Sequence, residues 1–381
     1  MPWEDKTVEE LRKEFITAAL DTQNFSSLCR EFEISRKTGY KWLKRYKEEC
    51  SLTDHSRKPK SSANKICSDT ERKILEVRKD NPGWGAATIH KVLENRGYTD
   101  LPCIRTINNI LNRNGYISIE DSNQRQRYLR FQKEHCNEMW QTDFKGDFPL
   151  KDGNRCYPLD ILDDRSRFLI KIVPSINTKN LVIPTFEEAF AEYGMPFSVL
   201  SDNGGQFAGF RQGYTHFEKW LMSFDVLPIH GKTHHPQTQG KIERFHRTLN
   251  NELLRFNEFS DIAEANEKMQ LWRDKYNNIR PHEALDMFTP SDVYSKSTRR
   301  YTGEIKEYEY CGLYPVLKVN CKGYVSIDRK RLYFSETMSG EYIEFRPNPD
   351  RDTFFACFRN FRIAEFDSFS GNKLNRFICR L

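Results

Sequence analysis

Residues 139–173 read MWQTDFKGDFPLKDGNRCYPLDILDDRSRFLIKIV. Three apolar runs lie in this stretch: Met139 to Phe144, Tyr157 to Leu162 and Phe168 to Val173. The last two are separated by Asp163-Asp164-Arg165-Ser166, residues that favour a turn. Three strands are therefore predicted in succession. Beyond them the pattern alternates: a helix over Asn180 to Tyr193, a strand over Phe197 to Leu200, a helix over Thr215 to Phe224 and a strand over Leu227 to His230. A long helix runs from about Thr238 to Phe256. Strands interleaved with helices predict an α/β domain that begins near Glu134.

Working outward, residues 7–49 read as helical. Leu11, Phe15 and Ile16 mark a first amphipathic stretch, and Phe25 to Phe32 a short second helix. The turn Glu33-Ile34-Ser35 follows, with Ser35 as N-cap of RKTGYKWLKRYKEE. That last helix is expected to bury Tyr40, Leu43 and Trp42 and to expose Arg36, Lys37, Lys41, Lys44 and Arg45. Helix, short turn, basic helix is the helix-turn-helix arrangement, whose second helix enters the major groove of DNA. The plainer reading is a three-helix bundle with a solvated basic face. Residues 51–65, SLTDHSRKPKSSANK, form a basic linker in which Arg57 and Lys58 are suited to a phosphate backbone. Residues 66–116 read as a second helix-turn-helix, broken at Asn81-Pro82-Gly83-Trp84-Gly85. Residues 117–133 are a polar connector.

After Arg280-Pro281 the stretch 282–296 reads as helical, as does 261–276 before it. From about 304 the chain turns β-rich, with VLKV, GYVSI, RLYFS, GEYIEF, TFFACF and FRIAEF as short strands. A small β-barrel or half-barrel is expected there, and Lys318, Lys322, Arg329, Lys330 and Arg331 are basic side chains on it. The expected class is multidomain: all-α helix-turn-helix units, an α/β core over 134–297, and a β-barrel over 298–381.

The bulk properties fit this plan without demanding it. The chain has 381 residues and a formal net charge of +6, too mild to prove nucleic-acid binding. No run approaches eighteen apolar residues, so no membrane partner is expected. The ten cysteines include no CxxC pair, which argues against a zinc site or disulfide framework and for a reducing, cytoplasmic setting.

Three carboxylates carry the chemistry. Asp143 lies in WQTDF, Asp202 in LSDNGGQF, and Glu243 in HPQTQGKIERFHRTLNNELL. The first is in a strand, the second ends a strand before a Gly-rich turn, and the third is on a helix. Such a set can hold two Mg²⁺ ions about 3.5–4 Å apart, which clamp an in-line displacement at phosphorus. Ile242, Phe245, Leu249 and Leu253 form the buried stripe of the helix, so Glu243, Arg247 and Asn250 occupy the adjacent polar stripe. An ion pair with Arg247 is the plainer reading of Glu243. Gly204 and Gly205 are expected to let the backbone turn tightly. Asp163 and Asp164 read as turn caps, Asp147 and Asp160 are similarly set aside, and Trp84 and Trp140 are expected in cores.

These three segments resemble the motifs of DDE transposases related to retroviral integrases. NNIRPHEALDMFTPSDVY, Asn277 to Tyr294, and GYKWLKRY ahead of LTDHSRKP are similar to segments of bacterial insertion-sequence transposases. The resemblance implies an RNase H-like catalytic core with Asp143, Asp202 and Glu243 as catalytic and metal-ligating residues. Two Mg²⁺ or Mn²⁺ ions per site are implied, Asp143 bridging both. It implies cleavage at transposon ends, transfer of 3′-hydroxyls into target DNA, and a homodimer or homotetramer on double-stranded DNA in a bacterial cytoplasm, at the nucleoid. Lys241, Arg244 and Arg247 flank Glu243 as DNA contacts, with His246 beside them, and Gln237 to Gly240 form the helix entry. The spacing departs from the family: forty residues separate Asp202 from Glu243, the extra length falling in Ala208 to Trp220. His234-His235 lacks further ligands, so zinc is not expected. Two other functions fit less well, a nuclease without strand transfer and a non-catalytic DNA-binding regulator.

Overall fold

The computed structural model describes residues 7–54, 66–117, 132–209, 213–231, 240–327 and 329–381. Arg57, Lys58, His234, His235, Gln237, Thr238, Gln239 and most of the 51–65 and 117–133 segments lie outside the described residues. The chain divides into two compact units, residues 1–65 and 66–381.

In the first unit, α1 (Val8–Asp21), α2 (Phe25–Glu31) and α3 (Arg36–Glu49) each start at a side-chain cap: Thr7, Asn24 and Ser35. Phe15, Ile16, Leu28, Cys29 and Trp42 fill the space between them. The facing of α3 differs from the expectation. Tyr40 is 53% exposed, although its ring stacks on Phe25, whereas Arg45 is only 8% exposed. The cause is Gly39. A β-carbon there would stand 2.8 Å from the Cys29 sulfur and 3.0 Å from Phe15, so the closest helix contact uses a residue with no side chain. The inward line then runs Gly39, Trp42, Arg45, and the Arg45 guanidinium lies over Trp42 and bonds Glu49 at 3.4 Å. Arg36, Lys37, Lys41 and Lys44 are exposed.

The second unit opens with α4 (Ser68–Asp80), α5 (Ala86–Asn95) and α6 (Ile104–Arg113), packed around Trp84 through Ile74, Ile89, Ile107 and Leu111. The α/β core follows: β1 (Trp140–Phe144), the hairpin β2 (Phe148–Pro149) and β3 (Arg155–Cys156), β4 (Leu159–Asp163), β5 (Leu169–Val173), α7 (Val182–Tyr193), β6 (Ser198–Ser201), α8 (His216–Ser223), β7 (Leu227–His230), α9 (Gly240–Glu252) and α10 (Ile262–Asn278). The central sheet has the order β5-β4-β1-β6-β7; β1 is antiparallel to β4 and parallel to β6, as β6 is to β7. This mixed sheet with helices on both faces is an RNase H-like core. Trp140, Leu159 and Ile161 face α7 and α8, while Leu162 and Ile172 face α9 and α10. The stretch 282–296 is not one helix. It contains a 3-10 turn and α11 (Pro290–Val293), because Asp286 and Met287 take positive φ between them.

The C-terminal strands are β8 (Val316–Lys318), β9 (Tyr324–Ile327), β10 (Lys330–Tyr333), β11 (Tyr342–Pro347), β12 (Thr353–Phe358), β13 (Phe361–Asp367) and β14 (Lys373–Arg380). They do not close into the expected barrel. β14-β13-β12-β11-β8 is an open sheet whose two outer strands do not pair among the described residues, and β9-β10 is a separate hairpin. The apolar face of the sheet packs with Val325, Leu332 and Phe334 of the hairpin region and with Tyr214 and Met222 of the core. Among the described residues no helix is long and apolar enough to cross a membrane.

Candidate active site

Strand alternation places the site. On β1, Trp140 and Phe144 face α7 and α8, so Gln141 and Asp143 point to the α9 face. Asp143 pairs across β4 with Asp160, and residues directly opposite share a face. Asp202 follows the last residue of β6, next to β1. Its Oδ1 accepts from the Gly204 N–H at 2.9 Å. A β-carbon on Gly204 would stand 2.9 Å from that oxygen, so a larger residue there would shift the Asp202 carboxylate.

Asp143 is partly buried and its carboxyl is pushed up to about 6. Burial is the main cause; His246 opposes it, and the charges of Asp202 and Asp160 add to it. Two carboxylates sharing a dehydrated site repel each other, and a divalent cation between Asp143 and Asp202 would offset both burial and repulsion. The donor set therefore fits a hard cation at these two residues. Glu243 sits in the first turn of α9 with its side chain exposed. Among the described residues no three His, Cys, Asp or Glu side chains are close enough to hold one ion. The fold thus brings Asp143 and Asp202 together, but among the described residues it does not group Glu243 with both of them.

The helix is fastened there by groups with other expected roles. His246 Nε2 lies 2.8 Å from Oδ2 of Asp160, which is completely buried. Burial pushes the Asp160 carboxyl above its ordinary range against the pull of His246. Lys241 turns inward rather than toward solvent: its ammonium donates to the buried Asp164 at 2.5 Å, and burial pushes its pKa down to about 8. Asp164 also accepts from Gln141 of β1 at 2.7 Å, so it joins the start of α9 to the strand that carries Asp143. Asp163 is a turn cap, accepting from Ser166 N–H and Oγ–H. Arg244 lies 3.7 Å from Glu283 with most of its side chain in solvent, and Arg247 is exposed.

Two functional-looking residues carried no signal in the sequence. Glu218 of α8 is fully buried, and His230 of β7 bridges it to Ser201, the residue before Asp202. Asp160 was readable in principle, since it is the one charged residue inside an otherwise apolar strand interior and pairs with Asp143.

Integrase core domain models match residues 133–236 and 225–290, a helix-turn-helix domain matches 11–60, and a homeodomain-like domain matches 38–111. The chain is 28% identical over 161 residues to an uncharacterized protein of insertion element IS407 from Burkholderia multivorans, 42% of this chain and 56% of that protein. It is 25% identical over 265 residues to the transposase for transposon Tn552 from Staphylococcus aureus, 62% of this chain and 54% of that protein. The chain spans about half the length of the curated relatives it matches. A simian T-cell lymphotropic virus intasome structure superposes with a TM-score of 0.38 at 15% identity, over 81% of this chain and 99% of that one. With integrase-core matches running from 133 to 290 behind helix-turn-helix matches, the chain carries an integrase core domain and is similar to insertion-element and transposon proteins of the integrase-like superfamily.

Proposed function

We propose that this protein binds the terminal inverted repeats of a transposon, cleaves at its ends and transfers the 3′-hydroxyls into target DNA. The carrying observation is the proximity of Asp143 and Asp202 on adjacent strand ends, beneath the helix that bears Glu243. The three carboxylates are the proposed ligands of two Mg²⁺ or Mn²⁺ ions. When bound, such ions activate the attacking water or hydroxyl and stabilise the leaving oxygen. The chain's own residues hold this geometry: Asp160–His246 and Asp164–Lys241 fix α9 over β1 and β4, and Gly204 fixes the Asp202 carboxylate.

The proposed domain plan is helix-turn-helix over 1–50, basic linker over 51–65, second helix-turn-helix over 66–116, connector over 117–133, catalytic core over 134–297 and C-terminal sheet over 298–381. Arg36, Lys37, Lys41 and Lys44 on the exposed side of α3, with Arg244 and Arg247 on α9, are the proposed DNA contacts. Two transposon ends need two active sites, so a homodimer or homotetramer on double-stranded DNA is proposed. A bacterial cytoplasmic location accords with the insertion-element relatives.

The test is incubation of labelled DNA carrying the element's own ends with the protein and with Asp143→Asn, in Mg²⁺ and in EDTA. Metal-dependent nicking and joining, lost in the variant, is expected. Nicking without joining would support a plain nuclease. Binding without chemistry, identical in both proteins, would support a non-catalytic regulator.

A further inference from the structure

The forty-residue spacing between Asp202 and Glu243 has a structural use. Within it, residues 213–231 form the seat of the C-terminal sheet. Tyr214 Oη donates to the Ile363 carbonyl at 2.5 Å, and the Tyr214 carbonyl accepts from Ser335 at 3.2 Å and Thr337 at 2.6 Å. Lys219 pairs with Glu341 at 3.4 Å. Asp225 accepts from Arg380 at 2.9 Å and from Asn360 at 3.2 Å. This seat is not confined to the surface. Arg376 of β14 passes over the Tyr214 ring and bonds Oε1 of Glu218. Glu218 is fully buried; its Oε2 accepts from the Thr215 and Gly209 N–H groups, and the same Oε1 lies 2.8 Å from His230 Nε2. His230 Nδ1 lies 3.1 Å from Ser201 Oγ, whose strand partner is His230 itself. The Ser201 hydroxyl lies 3.2 Å from the carbonyl of Asp202.

A continuous chain of polar contacts therefore runs from the C-terminal sheet to the backbone of a proposed metal ligand. Every link is buried or nearly so. A buried charge is tolerated only where its partners are fixed, so removing one end of this chain leaves Glu218 short of a cation. The residues behind a metal ligand set its orientation and tune affinity.

We propose that the C-terminal sheet is a fixed part of the catalytic unit, and that Arg376, Glu218, His230 and Ser201 position Asp202 for metal. Arg376, Glu218 and His230 are positioning residues; none of them touches the proposed ions. The proposal rests on the reading of Asp202 as a ligand given under Proposed function.

The test uses the full chain with Arg376→Met, Arg376→Lys and His230→Gln. Mn²⁺ binding to the DNA-free protein is followed by electron paramagnetic resonance, and the Mg²⁺ midpoint of end nicking is measured beside it. Arg376→Met and His230→Gln are expected to weaken Mn²⁺ binding about tenfold to a hundredfold and to raise the Mg²⁺ midpoint in the same direction. Arg376→Lys, which keeps the charge, is expected to recover most of the loss. A purely structural role predicts something else: a lower melting midpoint in both variants with Mn²⁺ affinity and Mg²⁺ midpoint at wild-type values. That result overturns the proposal. Should Arg376→Met fail to fold, His230→Gln decides alone. Asp202→Asn run in parallel separates the two readings: if it keeps wild-type Mn²⁺ binding and nicking, the site assignment fails and the proposal falls with it.

Discussion

His282 is a single side chain with a readable consequence. Burial, together with the positive charges of Arg280, Arg167 and Arg244, pushes its pKa down to about 2, and its Nε2 is buried without a hydrogen-bond partner among the described residues. The unfolded chain takes up this proton near pH 6.5 and the folded chain does not. Between those values the unfolded state binds more protons, so stability is full above about pH 6.5 and falls as the pH drops toward 2. The slope from this residue is at most ~1.4 kcal/mol per pH unit. Urea midpoints at pH 7 and pH 5 are expected to show a smaller loss in His282→Phe than in the wild type. At the same scale, Arg45 and Lys241 show where a charge in the sequence misleads. Both were legible as basic residues beside a functional helix. Their direction depends on the close approach of Gly39 to Cys29 and Phe15 in one case and on buried Asp164 in the other, neither of which is local in sequence pattern.

At the scale of elements, two pieces invite measurement. The turn Asn81-Pro82-Gly83-Trp84 joins α4 to α5 and docks on the far end of α9: Gly83 has φ +90°, a β-carbon there would stand 2.6 Å from the Asn251 carbonyl, and Trp84 Nε1 reaches Glu252 at 3.4 Å. Gly83→Ala is expected to cost on the order of 2–3 kcal/mol, from backbone strain plus a clash with main chain that cannot swing away. Thermal unfolding of the variant checks it; an unchanged midpoint would show that the turn yields freely. The second piece is α3. If it lies in the major groove as proposed, Lys41→Ala should reduce the slope of log K against log salt by about 0.9 on every DNA sequence. A slope equal to the wild type would place Lys41 away from phosphate. The strands and helices themselves were largely legible, because their apolar periods are local. β14 was not: KLNRFICR mixes charge and apolar residues, and its pairing with β13 is interrupted by register shifts.

At the scale of the whole second unit, the C-terminal sheet and the core share an apolar cluster that includes Tyr214, Met222, Phe334, Phe345 and Phe366. An added domain on a tether would lack such a shared interior. Amides of β11, β12 and β13 are therefore expected to exchange hydrogen in the same cooperative opening as those of β1, β4 and β6. Exchange of the sheet at much lower free energy than the core would contradict this.

The sequence by itself determined most element types, the Ser35 cap of α3 and the α/β core, since each rests on residues near one another in the chain, and it supplied the three carboxylates as candidates. Periodicity and capping are local physics. Tertiary structure alone decided that Asp143 faces Asp160 and neighbours Asp202, that Lys241 and Arg45 turn inward, and that the C-terminal strands form an open sheet. It also decided that the long spacing after Asp202 serves as that sheet's seat. These outcomes depend on which distant surfaces exclude water together, and charge or hydropathy along the chain carries no record of that pairing.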